Sequence, residues 1–196
     1  MKNQIKDYYK REIATIEAMN FEEIERAVLA IRSAYERGAN IYTFGNGGSA
    51  ATSSHFACDF NKGICEKLEK KFNLICLNDN IPTIMAIAND FSYDDIFSFQ
   101  LMNKLKTDDL VLAISGSGNS KNIIKAVEYA KSIGCKVVGI TGYSGGRLYQ
   151  LADYHMHVPI EDMQITCILR TSCHVYTVKL PQRNGVLATV ARQLPL

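Results

Sequence analysis

The chain has 196 residues, of which 47% are hydrophobic and 21% charged, and its formal net charge is +2. This length suits one domain, or one domain with a helical extension, and the apolar fraction is large enough to fill a core. The small net charge is not clustered, which argues against nucleic acid as a partner. We expect a cytoplasmic protein without a membrane anchor, because no apolar run reaches the length of a membrane span, the N-terminus lacks a signal core, and the six cysteines form no C-x-x-C pair.

The first 38 residues predict two helices. Apolar residues recur at helical spacing over residues 5–16, and Asn20 with Glu23 forms an N-cap pair that opens the second helix. We interpret residues 1–38 as a helical extension. Such an extension could cover its own domain or pack against another subunit, and the sequence is compatible with both.

From residue 40 onward, short apolar strands alternate with helices. The predicted strands are residues 40–44, 72–77, 110–114, 136–141 and 154–158. The predicted helices between them are residues 50–60, 81–88, 94–105, 122–133 and 145–151. Repeated units of this kind predict an α/β fold, in which helices cover both faces of a five-stranded parallel sheet. Ligands of such sheets bind at the carboxyl ends of the strands.

The pattern weakens after Pro159. Residues 162–169 could start a helix, whereas residues 170–178 favour strand or irregular structure. A domain of this design should close with an apolar helix over the sheet, and the sequence does not supply a clear one. We therefore assign residues 39–196 to a single domain in which segment 167–196 is atypical.

A serine- and glycine-rich loop, residues 114–120, lies between a predicted buried strand and a predicted helix. Backbone N–H groups and the positive end of the helix dipole converge at such a turn and favour an anion. The hydroxyls of Ser115, Ser117 and Ser120 add donors that suit phosphate oxygens. No Walker lysine follows, and the glycine spacing is not G-x-G-x-x-G, so the loop does not indicate a nucleotide site.

A second loop, residues 45–49 with the sequence Gly-Asn-Gly-Gly-Ser, repeats this arrangement after the first strand. Its glycines permit positive φ angles, and its serine stands at a helix start. One such loop is usually only a turn. Two of them at the same edge of a parallel sheet favour a ligand that carries a phosphate.

The histidines stand in different contexts. His55 and Asp59 are four residues apart on a predicted helix and share one face. They could be an ordinary surface pair, but their place just beyond the glycine-rich loop favours a role in the site. His155 and His157 share one face of the last strand, which we interpret as a solvent-facing edge rather than a metal pair.

Several separated motifs resemble, in order, those of the sugar isomerase (SIS) domain of sedoheptulose 7-phosphate isomerases, also called phosphoheptose isomerases. They are residues 45–50 with 55–57, then 86–90, 95–98, 114–120, and 141–142 with 145–146. The resemblance runs from about residue 20 to Gln164. It implies a flavodoxin-like, three-layer α-β-α fold and a homotetramer that binds a phosphosugar at its subunit boundaries.

The resemblance also implies roles for individual residues. The phosphate would be held by Ser115, Gly116, Ser117 and Ser120. The sugar chain would be lined by Asn46, Gly47, Gly48, Ser49, Asn89 and Asp90, and contacted by Gln164. The reaction requires no cofactor, but some members bind zinc. In this chain the matching ligands are His55, Asp59 and Gln164, a mixed nitrogen and oxygen set that a borderline divalent ion accepts.

Family members interconvert a ketose and an aldose phosphate through an enediol, with a glutamate and a histidine as the acid–base pair. In this chain Asp59 stands at the glutamate position and Ser172 at the histidine position, with His174 two residues further on. The shorter carboxylate keeps the chemistry but is retracted, and a misplacement of about 1 Å can cost ~100-fold in rate. We predict Asp59 as the base and His174 as the candidate acid.

Two functions follow from this resemblance. The first is a cytoplasmic isomerase of sedoheptulose 7-phosphate, or of a close phosphosugar, in the synthesis of activated heptose. The second is a phosphosugar-binding or scaffold protein that has lost turnover. The missing histidine favours the second function, whereas Asp59 and Gln164 favour the first. A transcription regulator would need a DNA-binding segment, and residues 1–38 contain no basic recognition helix.

Overall fold

The computed structural model describes residues 1–172, so His174 lies outside the described residues. In this part of the chain the elements are α1 (Lys2–Glu17), α2 (Phe21–Arg37), β1 (Asn40–Gly45), α3 (Gly48–Cys58), β2 (Asn73–Cys76), α4 (Ile81–Asp90), α5 (Ser98–Leu101), β3 (Leu110–Ser115), α6 (Lys121–Ser132), β4 (Lys136–Thr141), α7 (Gly146–Leu151), β5 (Tyr154–His157) and α8 (Met163–Ser172). A π-helical turn (Asp59–Gly63) follows α3, and 3-10 turns lie at Ile64–Lys67 and Tyr93–Asp95. None of these described helices combines the length and apolarity needed to cross a membrane.

The strands form one parallel five-stranded sheet in the order β2-β1-β3-β4-β5, which confirms the predicted fold class. The chain leaves β1 for one edge of the sheet and returns to β3 on the other side of β1. In the register of this central pair, Gly45 lies opposite Ile114. The loops that follow β1 and β3 are therefore adjacent at the point where the strand order reverses, which is where ligands bind in sheets of this topology.

Apolar clusters cover both faces of the sheet and produce the predicted three layers. On one face, α2, α3 and α8 pack through residues such as Ile31 and Phe56. On the other face, the helices α4 to α7 pack through residues such as Phe97 and Val127. Every residue of β3 is buried, as is typical of a central strand covered on both sides.

The second N-terminal helix, α2, packs on its own domain. It contacts β5 and β1 and buries one apolar face. The predicted cap is present, because Asn20 Oδ1 accepts a hydrogen bond of 3.1 Å from the backbone N–H of Glu23. At the other end, Gly38 adopts a φ of 75° that terminates the helix. Helix α2 therefore covers part of its own domain, which is one of the two arrangements that the sequence allowed.

Two of the predicted elements were wrong. The segment 94–105 is not one helix, because it contains a 3-10 turn and the four-residue α5, and then reverses at Asn103 with a φ of 61°. The expected lack of a closing helix is also wrong, since α8 continues to residue 172. Its Ile165, Thr166 and Leu169 are buried against the domain.

His155 and His157 do not form a solvent-facing edge. Both rings are half-buried against Tyr149 of α7, at centroid distances of 4.1 and 5.2 Å. His157 Nδ1 also lies 2.9 Å from Thr141 Oγ1. Burial lowers the pKa of both histidines below the ordinary value. An aromatic side chain, and not solvent, covers this face of β5.

Asp153 connects α6, β4 and the start of β5. Its carboxylate accepts hydrogen bonds from Lys131 Nζ (2.7 Å), Lys136 Nζ (2.9 Å) and the Val137 N–H (2.9 Å). Burial alone would raise the pKa of Asp153, but these hydrogen bonds outweigh it and hold the pKa below its ordinary value. The ionised carboxylate is therefore a stabilising element of the fold.

We predict that Asp153→Asn lowers the free energy of unfolding at neutral pH by about 1–3 kcal/mol, because hydrogen bonds to a charged group are weakened or lost. A depressed folded-state pKa means that the stabilisation is complete above the unfolded-state pKa and is lost as the pH falls through the folded-state pKa. Urea unfolding between about pH 7 and about pH 2 should show a difference from the wild type that shrinks in acid. Asp108→Asn, at an exposed aspartate, is the control. A difference that does not change with pH would contradict the prediction.

Candidate active site

The serine loop, residues 115–120, connects β3 to the start of α6. Ser115 is only 4% exposed, and its Oγ accepts a hydrogen bond of 3.2 Å from the Gly118 N–H. The same oxygen lies 3.5 Å from Ser120 Oγ at the N-cap position of α6, while Ser117 is exposed. Hydroxyls and free helix N–H groups therefore converge at the N-terminal end of a 12-residue helix, an arrangement that favours an anion.

The turn between β4 and α7 holds the serine loop in shape. The Gly142 N–H donates to the Gly116 carbonyl (2.9 Å), and the Leu148 N–H donates to the Gly118 carbonyl (2.8 Å). Gly118 has a φ of 67°, and a Cβ at this position would overlap the Gly145 carbonyl oxygen. Glycine is thus required here by both the backbone conformation and the close approach of a second loop.

The glycine loop, residues 45–49, connects β1 to α3. The side-chain amide of Asn78 is bonded to both backbone groups of Gly45, accepting from the N–H at 3.1 Å and donating to the carbonyl at 2.9 Å. Gly47 has a φ of 53°, and both Gly47 and Gly48 are exposed. An exposed backbone without side chains lets a ligand approach the main chain closely.

A reciprocal pair of side-chain amides joins the two loops. Asn46 Nδ2 donates to Asn122 Oδ1 at 2.8 Å, and Asn122 Nδ2 donates to Asn46 Oδ1 at 2.9 Å. Tyr93 Oη also donates to Asn46 Oδ1, at 3.2 Å. Asn46 was a predicted substrate residue, whereas Asn122, Tyr93 and Asn78 were missed. No local sequence signal marks these three, because each acts on a partner distant in the chain.

The pair predicted on the face of α3 is present. His55 Nε2 and Asp59 Oδ2 are 3.3 Å apart, and their side chains are 49% and 31% exposed. Asp59 opens the π-helical turn, a distortion that is frequent at functional sites because it reorients the side chains that follow. Ser49, by contrast, is buried at the start of α3 rather than presented at the surface.

Asn89 and Asp90 end α4 and are both exposed, with Asn89 Nδ2 donating to Asp90 Oδ1 at 2.8 Å. The 3-10 turn that follows them contains Tyr93, whose hydroxyl reaches the glycine loop. This contact places the turn after α4 next to the joined loops.

Gln164 is exposed in the first turn of α8. The helix start is fixed by Asp162, whose Oδ1 accepts from the N–H groups of Ile165 (3.2 Å) and Gln164 (3.0 Å). Arg11 of α1 pairs with the same carboxylate at 2.7 Å. These contacts, the Ile165 N–H first among them, hold the pKa of Asp162 below its ordinary value.

The helix α8 also lies beside the glycine loop. A Cβ at Gly48 would be 3.8 Å from Cys167 Sγ, and a Cβ at Gly142 would overlap the side chain of Thr166. The helix that carries Gln164 therefore packs next to the glycine loop and the turn that supports the serine loop. The two loops, the turn after α4 and helix α8 thus lie together at the carboxyl end of the sheet. Asp59 lies at the far end of α3, where Asn61 of the turn that follows bonds to Leu74 near the start of β2, and His174 is not among the described residues.

Two of the three residues suggested as zinc ligands lie close together. His55 and Asp59 are close enough to share an ion, but residues 1–172 contain no group of three His, Cys, Asp or Glu side chains that could hold a metal. A catalytic zinc site ordinarily has about three protein ligands. Zinc binding that includes Gln164 stays a prediction, and we derive no chemical step through a metal.

Known proteins resemble this chain in sequence and in fold. Residues 5–142 match the family model of the SIS domain. Over 156 residues the chain is 42% identical to a probable phosphoheptose isomerase of Thermoplasma acidophilum, which covers 76% of this chain and 85% of that protein. It is 34% identical over 176 residues to a probable phosphoheptose isomerase of Thermoplasma volcanium, covering 90% and 87%. A solved phosphoheptose isomerase from Francisella tularensis is similar in structure, with a TM-score of 0.81, 28% identity, and coverage of 90% and 95%.

We predict that Gly118→Ala disrupts the serine loop and costs at least about 3 kcal/mol in the free energy of unfolding, because strain and a backbone overlap add together. Gly134→Ala is a matched control, since Gly134 also has a positive φ of 80° but its Cβ would meet only a Thr107 methyl group at 3.5 Å. That variant should lose only about 1 kcal/mol. Urea unfolding measures both values, and equal losses would show that the contact between the loops is not the constraint.

Proposed function

Because the chain belongs to the SIS-domain family and, within it, to the phosphoheptose isomerases, we propose that it is an aldose–ketose isomerase that converts sedoheptulose 7-phosphate into a heptose 7-phosphate. The observation that carries this proposal is the joining of the two loops at the switch point of the sheet. One loop suits a phosphate, and the helix after the other loop presents a histidine and a carboxylate.

The serine loop binds the phosphate in this proposal. Ser115, Ser117 and Ser120 supply hydroxyl donors, and Gly116 allows the ligand to reach the backbone. The N-terminal end of α6 adds the favourable potential of its dipole. All of these groups are neutral, so they hold the phosphate by hydrogen bonds without introducing a fixed cation.

The sugar chain extends from the phosphate toward the glycine loop. The groups proposed to line it are Asn46, Gly47, Gly48, Ser49, Asn89, Asp90 and Gln164. Their amide, hydroxyl, carboxylate and backbone groups match the row of hydroxyls of an open-chain sugar. Ser49 takes part from the buried start of α3, and the others are at least partly accessible.

Asp59 is the proposed base. It removes the proton from the carbon beside the carbonyl, the electron pair of that C–H bond forms the enediolate, and polar donors stabilise the resulting oxyanion. The proton of the hydroxyl on the first carbon passes to this oxyanion, and a proton is delivered to the carbon that carried the carbonyl, with His174 as the predicted acid, so that the carbonyl moves by one carbon. His55 lies 3.3 Å from Asp59 and contacts the carboxylate of this proposed base.

A second candidate is a protein of the same fold that binds a phosphosugar without turning it over. The presence of Ser172 where family members have their catalytic histidine favours this candidate. Both candidates share the phosphate site, so only a measurement of proton transfer separates them.

The test combines proton exchange with binding. In D₂O, wild-type protein with sedoheptulose 7-phosphate should exchange the proton beside the carbonyl, followed by NMR. Asp59→Asn should bind the sugar but lose at least about 100-fold of the exchange rate, because the base is removed. Ser117→Ala should weaken the sugar affinity measured by calorimetry by about 10-fold or more, because a hydrogen bond to a charged phosphate is lost.

Matched variants sharpen this experiment. Asp59→Glu restores the length of the family carboxylate and should retain the exchange. Ser132→Ala removes a serine at the opposite end of α6 and should leave affinity unchanged. Binding without exchange in the wild type would favour the non-catalytic candidate, and unchanged affinity in Ser117→Ala would reject the phosphate site.

We also propose a cytoplasmic homo-oligomer, most simply a tetramer. Exposed apolar side chains support it: Ile5, Tyr9 and Ile13 follow one face of α1 and are each more than half exposed. Near the site, Phe91 and Phe99 stack on each other at 5.2 Å and are both exposed. Such patches on a single chain are typical of surfaces that another protein covers.

Light scattering should therefore give a particle several times heavier than the chain mass of 21.9 kDa. Ile13→Glu should shift the particle to a smaller mass, because a charge would be buried at the contact. Lys6→Glu adds the same carboxylate to an exposed polar position of α1 and is the control. A wild-type particle of 21.9 kDa at all concentrations would contradict the proposal.

A further inference from the structure

Asn122 occupies a place where a polar side chain is costly unless it is fully paired. It is only 2% exposed and lies in the first turn of α6. Burial of an amide without hydrogen bonds costs about 1–3 kcal/mol. Asn122 avoids this cost through the reciprocal pair with Asn46 and by accepting a hydrogen bond of 2.9 Å from the Ile123 N–H. Packing alone would be served equally well by an apolar residue.

The bridge fixes the orientation of the Asn46 side chain. Asn46 Oδ1 accepts from both Asn122 Nδ2 (2.9 Å) and Tyr93 Oη (3.2 Å). If the amide were flipped, its NH₂ group would face the Asn122 NH₂ group and its oxygen would face Asn122 Oδ1, so both hydrogen bonds to Asn122 would be lost. The amide nitrogen carries two hydrogens, and the bridge to Asn122 uses one of them.

Three segments that carry separate parts of the site meet at this bridge. Asn46 belongs to the glycine loop, Asn122 lies two residues after the serine loop, and Tyr93 follows Asn89 and Asp90. We propose that Asn122 is a positioning residue of the isomerase: acting through Asn46, it sets the glycine loop relative to the serine loop so that both can hold one sugar phosphate. This inference rests on the proposed function, because that function supplies the ligand that the two loops share.

The proposal makes different predictions for the binding of the phosphate and for the binding of the sugar chain. The serine loop contacts the phosphate, so the affinity for inorganic phosphate does not depend on the bridge. Contacts with the sugar chain, and the stabilisation of the enediolate, depend on the position of Asn46. Replacement of Asn122 should therefore lower the affinity for the sugar and the rate of turnover, and it should do so only while Asn46 is present.

A double-mutant cycle tests this dependence. Asn122→Ala, Asn46→Ala and the double variant are compared with the wild type by calorimetry with sedoheptulose 7-phosphate and by proton exchange. Each single variant should lose about 10-fold in sugar affinity, and the double variant should lose no more than Asn46→Ala alone. The affinity for inorganic phosphate should change by less than about 2-fold in Asn122→Ala.

Two further variants separate positioning from stability. Asn122→Asp keeps an acceptor for Asn46 Nδ2 and the Ile123 N–H, and its charge is tolerated at a helix N-terminus, but it cannot donate to Asn46 Oδ1. It should fold and still weaken sugar binding. Asn73→Ala removes another hydrogen bond between side-chain amides, from Asn73 Nδ2 to Asn40 Oδ1, at the amino ends of β2 and β1. It should leave binding and exchange unchanged.

Additive losses in the cycle, an unaltered sugar affinity in both Asn122 variants, or an equal loss of inorganic phosphate affinity would overturn the proposal. A wild-type chain that shows the expected coupling in binding but no proton exchange would reject the isomerase and keep the bridge. A chain that binds no sugar phosphate would overturn both.

Discussion

The register between β1 and β3 is the constraint from which the candidate site follows. These strands are neighbours in the sheet, yet the chain leaves them in opposite directions, since α3 packs on one face and α6 on the other. Two loops that end side by side and then diverge leave a crevice between them, and no special sequence is needed to open it. The residues of the two loops decide what the crevice can bind. In the proposed site the glycines let a ligand approach the backbone and the hydroxyls suit an anion, while α3 and the turn that follows it carry His55 and Asp59.

Much of the site is held in place before any ligand arrives. Asn78 fixes Gly45, the β4–α7 turn fixes Gly116 and Gly118, and the amide pair connects the two loops. Groups that are already oriented require little reorganisation when charge develops on a substrate oxygen, which is the main advantage of an enzyme site over water. The close approach of the two turns also explains Gly118 and Gly146, where a Cβ would overlap a backbone oxygen of the facing loop.

Patterns local in the sequence predicted most of this architecture. Apolar runs marked the strands, and glycine and serine clusters marked the loops, because both depend on neighbouring residues. The errors arose where distant contacts decide. The cap of α8 is local, but the packing of this helix beside Gly48 and Gly142 involves residues far away in the chain. The bridge joins residues 76 positions apart and leaves no local trace. The alternation of His155 and His157 correctly predicted that their side chains share one face of β5. It could not reveal that Tyr149 packs on that face.

The ion pair between Arg11 and Asp162 joins the first helix of the chain to the last described one, across 151 positions. Loop-closure entropy makes contacts at such separation slow to form. Because Asp162 also caps α8, a truncation of α1 would remove a partner of the residue that begins the helix bearing Gln164.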